Sequence, residues 1–286
     1  MPTSVPDHTT RPRLKAPIGA CDTHMHFYDD RFPASEKAWL FPPSFLPADY
    51  ARVQERLGLE RMVVVQPVTY GFDNRCILDA VARAGDAARA VVTVPLTVSD
   101  AELDAYWKGG ARGLRFHQMR GGMLTWEELQ AMAGRIVGSG WHVQVQLDGM
   151  ELPEREALIA ALPCTVVIDH FGRYSQPVGP KHPAVQALLR LTARPNVWVK
   201  LSGAYHISTS GAPQYADVAD LAKAVAAVGT ERLLWGSDWP HPTHLGDDRP
   251  DDAELMDLLL DWVPSAAERD AILSRNPARL YGFSPK

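Results

Sequence analysis

The chain has 286 residues, 46% hydrophobic and 22% charged, with a net charge of −5 and a pI near 6.1. That length is long for an ordinary domain but suits a single (β/α)8 barrel with a full core. The acidic balance excludes nucleic acid as the main partner, and no apolar run approaches the roughly 20 residues that span a membrane.

Residues 1–17 are polar and Pro-rich, without the apolar stretch of a secretory signal, and read as a flexible lead-in. A strand is predicted near Ile18–Thr23, then an irregular stretch, Tyr28–Pro47, and a helix over Pro47–Leu57 closed by Gly58. Next come a strand at Arg61–Gln66, a helix at Asn74–Gly85, a strand at Ala90–Val94 and a helix at Asp100–Gly109. Ser99 and Glu102 stand at capping-box spacing at the start of that last helix. The alternation continues with strands at Gly113–Phe116, His142–Leu147, Thr165–Asp169, Val197–Lys200 and Leu233–Gly236. Helices at Thr125–Ser139, Glu154–Ala161, Pro183–Ala193 and Tyr215–Val228 fall between them. Asp252–Trp262 and Ser265–Arg275 add two closing helices, and Asn276-Pro277 starts a last turn.

The strands are short and rich in Val, Ile and Leu, as parallel strands covered on both faces should be. Eight of them alternating with helices predict an α/β fold: one TIM barrel over residues 18–286, without a linker or an internal repeat. Irregular stretches at Tyr28–Pro47, His206–Gln214 and His241–Asp251 each follow a strand end and are expected to form the rim of a pocket. Cys21, Cys76 and Cys164 are odd in number, widely spaced and set among apolar residues. They predict buried thiols in a reducing, cytoplasmic setting.

Four strand ends carry chemistry: Asp22-Thr23-His24-Met25-His26, Asp169-His170, Lys200-Leu201-Ser202 and Ser237-Asp238-Trp239-Pro240-His241-Pro242. Active sites of such barrels lie at the carboxyl ends of the strands. Residues i and i+2 of a strand share a face, so His24 and His26 can both enter the mouth. His170 follows an apolar Thr-Val-Val-Ile run, and Asp238 is followed by prolines that oppose an immediate helix. Asp238 is therefore read as a ligand or general base.

Arg115, Arg120, Arg173 and Lys200 lie at or just past strand ends in this net-acidic chain. A guanidinium matches a carboxylate geometrically, so an anionic small-molecule substrate is expected, with Thr69, Tyr70, His117 and Gln146 as further hydrogen-bonding contacts.

His-x-His after the first strand, Ile-Asp-His after the sixth and Trp-Gly-Ser-Asp-Trp-Pro-His-Pro after the eighth resemble the amidohydrolase superfamily. Within it the chain is similar to the branch of lactone hydrolases that includes 2-pyrone-4,6-dicarboxylate lactonase. Gly113-Leu114-Arg115-Phe116, Trp198-Val199-Lys200 and Asn276-Pro277-Ala278-Arg279-Leu280-Tyr281 extend the resemblance over nearly the whole chain. Gln146-Leu147-Asp148-Gly149 and Tyr215-Ala216-Asp217-Val218-Ala219 also resemble D-galactarolactone isomerase. That isomerase branch is understood to lack part of the histidine and aspartate set, which this chain keeps in His24, His26 and Asp238.

Two departures from other amidohydrolases bear on metal. Gln146 stands where many metal-dependent members have a histidine, and the fourth strand offers no lysine for a binuclear centre. Two cofactor states stay open: none, as the resemblance to pyrone lactonases implies, or one divalent ion, best Zn²⁺, held by His24, His26, His170 and Asp238.

The expected activity is hydrolysis of a carboxylated lactone from aromatic or sugar-acid catabolism. Asp238 would move the protons, and His24, His26 and His170 would polarise the carbonyl. A metal-dependent decarboxylase, a sugar-acid lactone isomerase and a non-catalytic acid-binding barrel are the alternatives. No oligomeric state is assigned.

Overall fold

The computed structural model describes residues 9–246 and 248–284. Eight parallel strands pair in the order β1 to β8: Cys21–Met25, Arg61–Val65, Ala88–Val92, Ala111–His117, His142–Gln146, Thr165–Ile168, Val197–Leu201 and Leu233–Trp235. The β8–β1 seam closes just beyond the strand ends. Met25 and Trp239 form a parallel bridge, Asp238 N donates to His24 O at 2.7 Å, and His26 N donates to Trp239 O at 2.8 Å.

Helices α1 Pro47–Leu57, α2 Arg75–Ala84, α3 Asp100–Lys108, α4 Trp126–Arg135, α5 Leu152–Ala161, α6 Pro183–Thr192 and α7 Ala216–Val228 cover the barrel. They are followed by α8 Asp252–Trp262, α9 Ala266–Asp270 and α10 Asn276–Tyr281. The Ser99–Glu102 capping box forms as its spacing predicts, and Gly58 ends α1 with φ 74°.

Several boundaries move for local reasons. Residues 17–20 form a turn, with Ala20 N bonded to Pro17 O and Gly19 at φ 73°, so β1 begins at Cys21 and Ile18 is exposed. Helix α4 stops at Arg135, ahead of Gly138 and Gly140, which both adopt positive φ. Ser265–Arg275 is not one α-helix: α9 passes into a π-helical turn at Ala271–Arg275.

Cys21, Val63, Val65, Val91, Val167 and Leu234 fill the barrel interior, while Tyr281 and Phe283 from the C-terminal segment pack beneath them. A second, larger core lies between strands and helices. Residues 1–8 of the expected lead-in lie outside the described residues. Further along it, Arg13 N and Leu14 N donate to Asp257 of α8 at 3.1 and 2.8 Å. All three cysteines are free and buried.

Candidate active site

The β1–β2 register shifts between Asp22 and Met25. Such irregularities re-aim side chains. Here Cys21 stays in the barrel interior while His24 and His26 turn into the mouth, with ring centroids 5.0 Å apart. His26 Nδ1 donates to Val65 O at 2.8 Å, and its Nε2 lies 3.2 Å from Asp238 Oδ1. His24 Nδ1 meets Asp169 Oδ1 at 3.2 Å, and its Nε2 lies 3.7 Å from Asp238 Oδ1.

On the other side of the carboxylate, His170 Nε2 stands 4.0 Å from Asp238 Oδ2, with Nδ1 held by Ser202 Oγ at 2.8 Å. Tyr205 OH donates to Asp238 Oδ2 at 2.6 Å, and His206 Nε2 reaches the same oxygen at 3.0 Å. Asp238 and His170 both hold left-handed backbone, at φ 63° and 51°. Non-glycine residues rarely adopt it, and it concentrates at functional sites. The turn after β7 needs Gly203: at φ 64°, a Cβ there would fall 2.8 Å from His170 Nδ1 and 2.9 Å from His206 Cδ2.

Electrostatics follow from burial. Burial alone would raise the Asp238 carboxyl, but His170, His206, His26 and His24 around it outweigh this and hold it well below the carboxylate range. Burial pushes His24 and His206 down to about 4 and lowers His170 as well.

Lys200 lies beneath this cluster, fully buried. Its ammonium donates to Thr23 O and Gln144 Oε1, both at 2.8 Å, and stands 3.4 Å from Asp169. Burial lowers it to about 8, with Asp169 opposing the shift.

A cavity of about 250 Å³ opens over Asp238. Its lining includes the polar side chains His26, Arg115, His117, Arg120, Gln146, His170, Arg173 and His206 together with Tyr28, Trp39, Leu40, Pro67 and Val68. Arg115 is partly committed to the scaffold, donating to Gln66 O at 2.5 Å and Gln146 Oε1 at 2.6 Å. Arg120 stacks on Trp39, its guanidinium 5.0 Å from the ring centroid. Arg173 Nη1 points to Met119 Sδ at 3.3 Å, and its Nε is buried without a partner among the described residues. Burial, then Arg115 and Arg173, lowers His117 to about 3.

Three residues expected as substrate contacts, Thr69, Tyr70 and Lys200, do not line this cavity. Thr69 Oγ1 donates to Leu40 O, and Tyr70 OH pairs with the Asp29 backbone, so both brace the loop after β1 outside the cavity lining. Lys200 projects into the barrel interior, because its strand position points it inward below the mouth. Sequence reading missed Tyr205 and His206 as functional candidates. Their only signal was their place just past the end of β7.

The donor set fits a divalent cation. His24 Nε2 is fully buried with no hydrogen-bond partner among the described residues, and the His26 and Asp238 acceptors face the same space. His24, His26 and Asp238 place ligand atoms within 4.8 Å of one another, as do His170, His206 and Asp238. Imidazole nitrogen with one carboxylate suits zinc.

Polar side chains converging at the carboxyl ends of a closed parallel barrel define a metal-competent barrel of hydrolase type. The chain belongs to the amidohydrolase family, whose model, described as Amidohydrolase, matches residues 21–283. It is 36% identical over 279 residues to D-galactarolactone isomerase of Agrobacterium fabrum, covering 96% of this chain and 95% of that one. It is likewise 36% identical over 284 residues to 2-pyrone-4,6-dicarboxylate hydrolase of Comamonas testosteroni, covering 95% and 93%. An apo crystal structure of an Agrobacterium tumefaciens protein superposes with a TM-score of 0.90 at 35% identity, covering 96% of this chain and 100% of the other. Among the described residues, no helix is long and apolar enough to cross a membrane.

Proposed function

We propose that this protein opens the ring of a carboxylated lactone by hydrolysis. The observation that carries the reading is Asp238, an ionised carboxylate ringed by imidazoles at the floor of a cavity walled by Arg115, Arg120 and Arg173. In a net-acidic chain, guanidinium groups lining the cavity favour an anionic small molecule. Trp39 and Tyr28 in the same lining offer aromatic surface to the face of a ring. One relative is named as a hydrolase of a pyrone dicarboxylate, which agrees with both features.

In this reading Asp238 Oδ1 accepts a proton as water adds to the ring carbonyl. As the tetrahedral centre collapses, the carbon–oxygen bond of the ring breaks and Asp238 returns the proton to the leaving oxygen. His170, fixed through Nδ1 by Ser202, presents Nε2 to the cavity, and Arg173 with His117 orients the substrate carboxylate. When bound, a divalent ion held by His24, His26, His170 and Asp238 supplies Lewis acidity at the carbonyl oxygen. Three free, buried thiols agree with a reducing, cytoplasmic compartment, where such a catabolic enzyme would work.

Isomerisation of a sugar-acid lactone is the second reading, favoured by 36% identity to the isomerase. One assay separates the two. The purified protein is offered a pyrone dicarboxylate, a sugar-acid lactone and a neutral lactone of the same ring size, with proton release followed and products identified by NMR. Ring-opened acid is expected from a carboxylated lactone. A rearranged but closed lactone would select the isomerase, and no turnover of any would overturn both.

A further inference from the structure

We infer that Asp22 is a positioning residue whose carboxylate sets the distance between the imidazoles on β1 and Asp238 beyond β8. The inference rests on the reading of Asp238 as the proton-moving group. Asp22 is fully buried and does not line the cavity, so it does not touch substrate.

Its Oδ1 accepts from two backbone amides, His24 N and Ser237 N, each at 3.0 Å. Its Oδ2 accepts from Tyr50 OH of α1 at 2.8 Å and from Ser237 Oγ. Ser237 Oγ in turn accepts from Trp239 N at 2.9 Å. The residues on both sides of Asp238 are thus tied to one carboxylate, Ser237 directly and Trp239 through one hydroxyl.

The same carboxylate holds the amide of His24. Two N–H and two O–H donors converge on it, and an ionised carboxylate is the side chain that offers acceptors alone. The clamp sits where the barrel is weakest, at the seam that the regular strand ladder leaves unpaired. The approach there is close: a Cβ on Gly236 would lie 2.7 Å from His24 Cβ. Without the clamp, the left-handed turn at Asp238 would have less to hold it against relaxation.

The distances at stake are 3.2 Å from His26 Nε2 and 3.7 Å from His24 Nε2 to Asp238 Oδ1. Displacement of a reacting group by about 1 Å can cost on the order of 10²-fold in rate.

The test uses Asp22→Asn, which keeps size and can re-pair with hydroxyls that rotate, and Ser237→Ala, which removes the hydroxyl bridging Asp22 and Trp239 while leaving the Ser237 N bond to Asp22 Oδ1. Each is assayed for kcat, KM and melting temperature on a lactone the wild type opens, and Ser237→Ala is also crystallised beside the wild type. Asp22→Asn is expected to lower kcat about ten- to a hundred-fold with KM nearly unchanged, and Ser237→Ala to follow with a smaller loss. In the Ser237→Ala crystal the separation of His26 Nε2 and Asp238 Oδ1 should differ from that of the wild type. Wild-type kcat in Ser237→Ala, or a loss that only tracks the unfolded fraction, would overturn the inference. So would an unchanged separation in the Ser237→Ala crystal. If the wild type opens no lactone, the functional reading fails, while the crystallographic separation still judges Asp22.

Discussion

His26 is shared between two acceptors: Nδ1 donates to Val65 O, and Nε2 lies 3.2 Å from Asp238 Oδ1. A proton or a cation can bridge the second pair. The pair therefore defines where the chemistry of this barrel begins.

Replacing that carboxylate should separate folding from turnover. Asp238→Asn can still accept from Tyr205 and keep its backbone bond to His24 O. Melting temperature is expected to stay close to wild type while kcat falls by roughly 10²–10⁴-fold, the usual contribution of a general acid–base group. Turnover near the wild-type rate would remove Asp238 from the mechanism.

Metal stoichiometry follows from the charges around the site. Asp169 is already balanced by buried Lys200, and Arg115 and Arg173 add positive charge nearby. At most one divalent ion per chain is expected when metal content is measured alongside activity before and after chelation. Activity lost on chelation and regained only with two equivalents of zinc would contradict this. Full activity in metal-free protein would select direct polarisation of the carbonyl by imidazole and arginine.

Arg173 and Arg115 should behave differently when truncated. Among the described residues Arg173 donates only to Met119 Sδ, whereas Arg115 braces Gln66 and Gln146. A hydrogen bond to a charged group contributes about 1.5–3 kcal/mol, so Arg173→Ala should cost roughly ten- to a hundred-fold in kcat/KM for an acidic lactone. A neutral lactone of the same ring should lose little. Arg115→Ala should slow both substrates, because it loosens the cavity wall. Equal effects of Arg173→Ala on charged and neutral lactones would make it an ordinary packing residue.

A pH-dependent contribution to stability is expected at the rim. Asp217, at the start of α7, accepts from Ser208 Oγ at 2.5 Å, Thr209 N at 2.7 Å and Ser210 Oγ at 2.8 Å. Burial is the largest single influence and opposes ionisation, but the donors together, Ser208 foremost among them, outweigh it and hold the carboxyl well below its ordinary 3.8. A depressed pKa stabilises the fold above the unfolded value, and the stabilisation is lost as pH falls through the folded one. Asp217→Asn should therefore lower the urea midpoint at neutral pH by an amount worth about 1 kcal/mol, the half-exposed position limiting it. Below about pH 4 the gap to wild type should narrow steadily. A gap that stays constant down to the acid transition would refute the assignment.

The alternation of short apolar runs with capped helical segments was legible without coordinates, because a parallel strand covered on both faces must be apolar along its length. The same local logic put His24, His26, His170 and Asp238 at strand ends, and strand ends in a barrel share one rim. Sequence could not tell which rim residues look into the cavity. Lys200 and Gln146 both sit at strand ends, yet Lys200 points below the mouth to Asp169 while Gln146 lines it. Thr69 and Tyr70, expected at the substrate, have hydroxyls that bond into the loop after β1, a pairing that local sequence does not reveal. Tyr205 and His206 meet Asp238 only because Gly203 turns the chain back over β7, and Asp22 meets Ser237 across 215 residues only because the barrel closes. Local sequence sets period and caps, which depend on neighbours along the chain. The partner of a buried polar atom is set by which distant donor the closed barrel brings within about 3 Å.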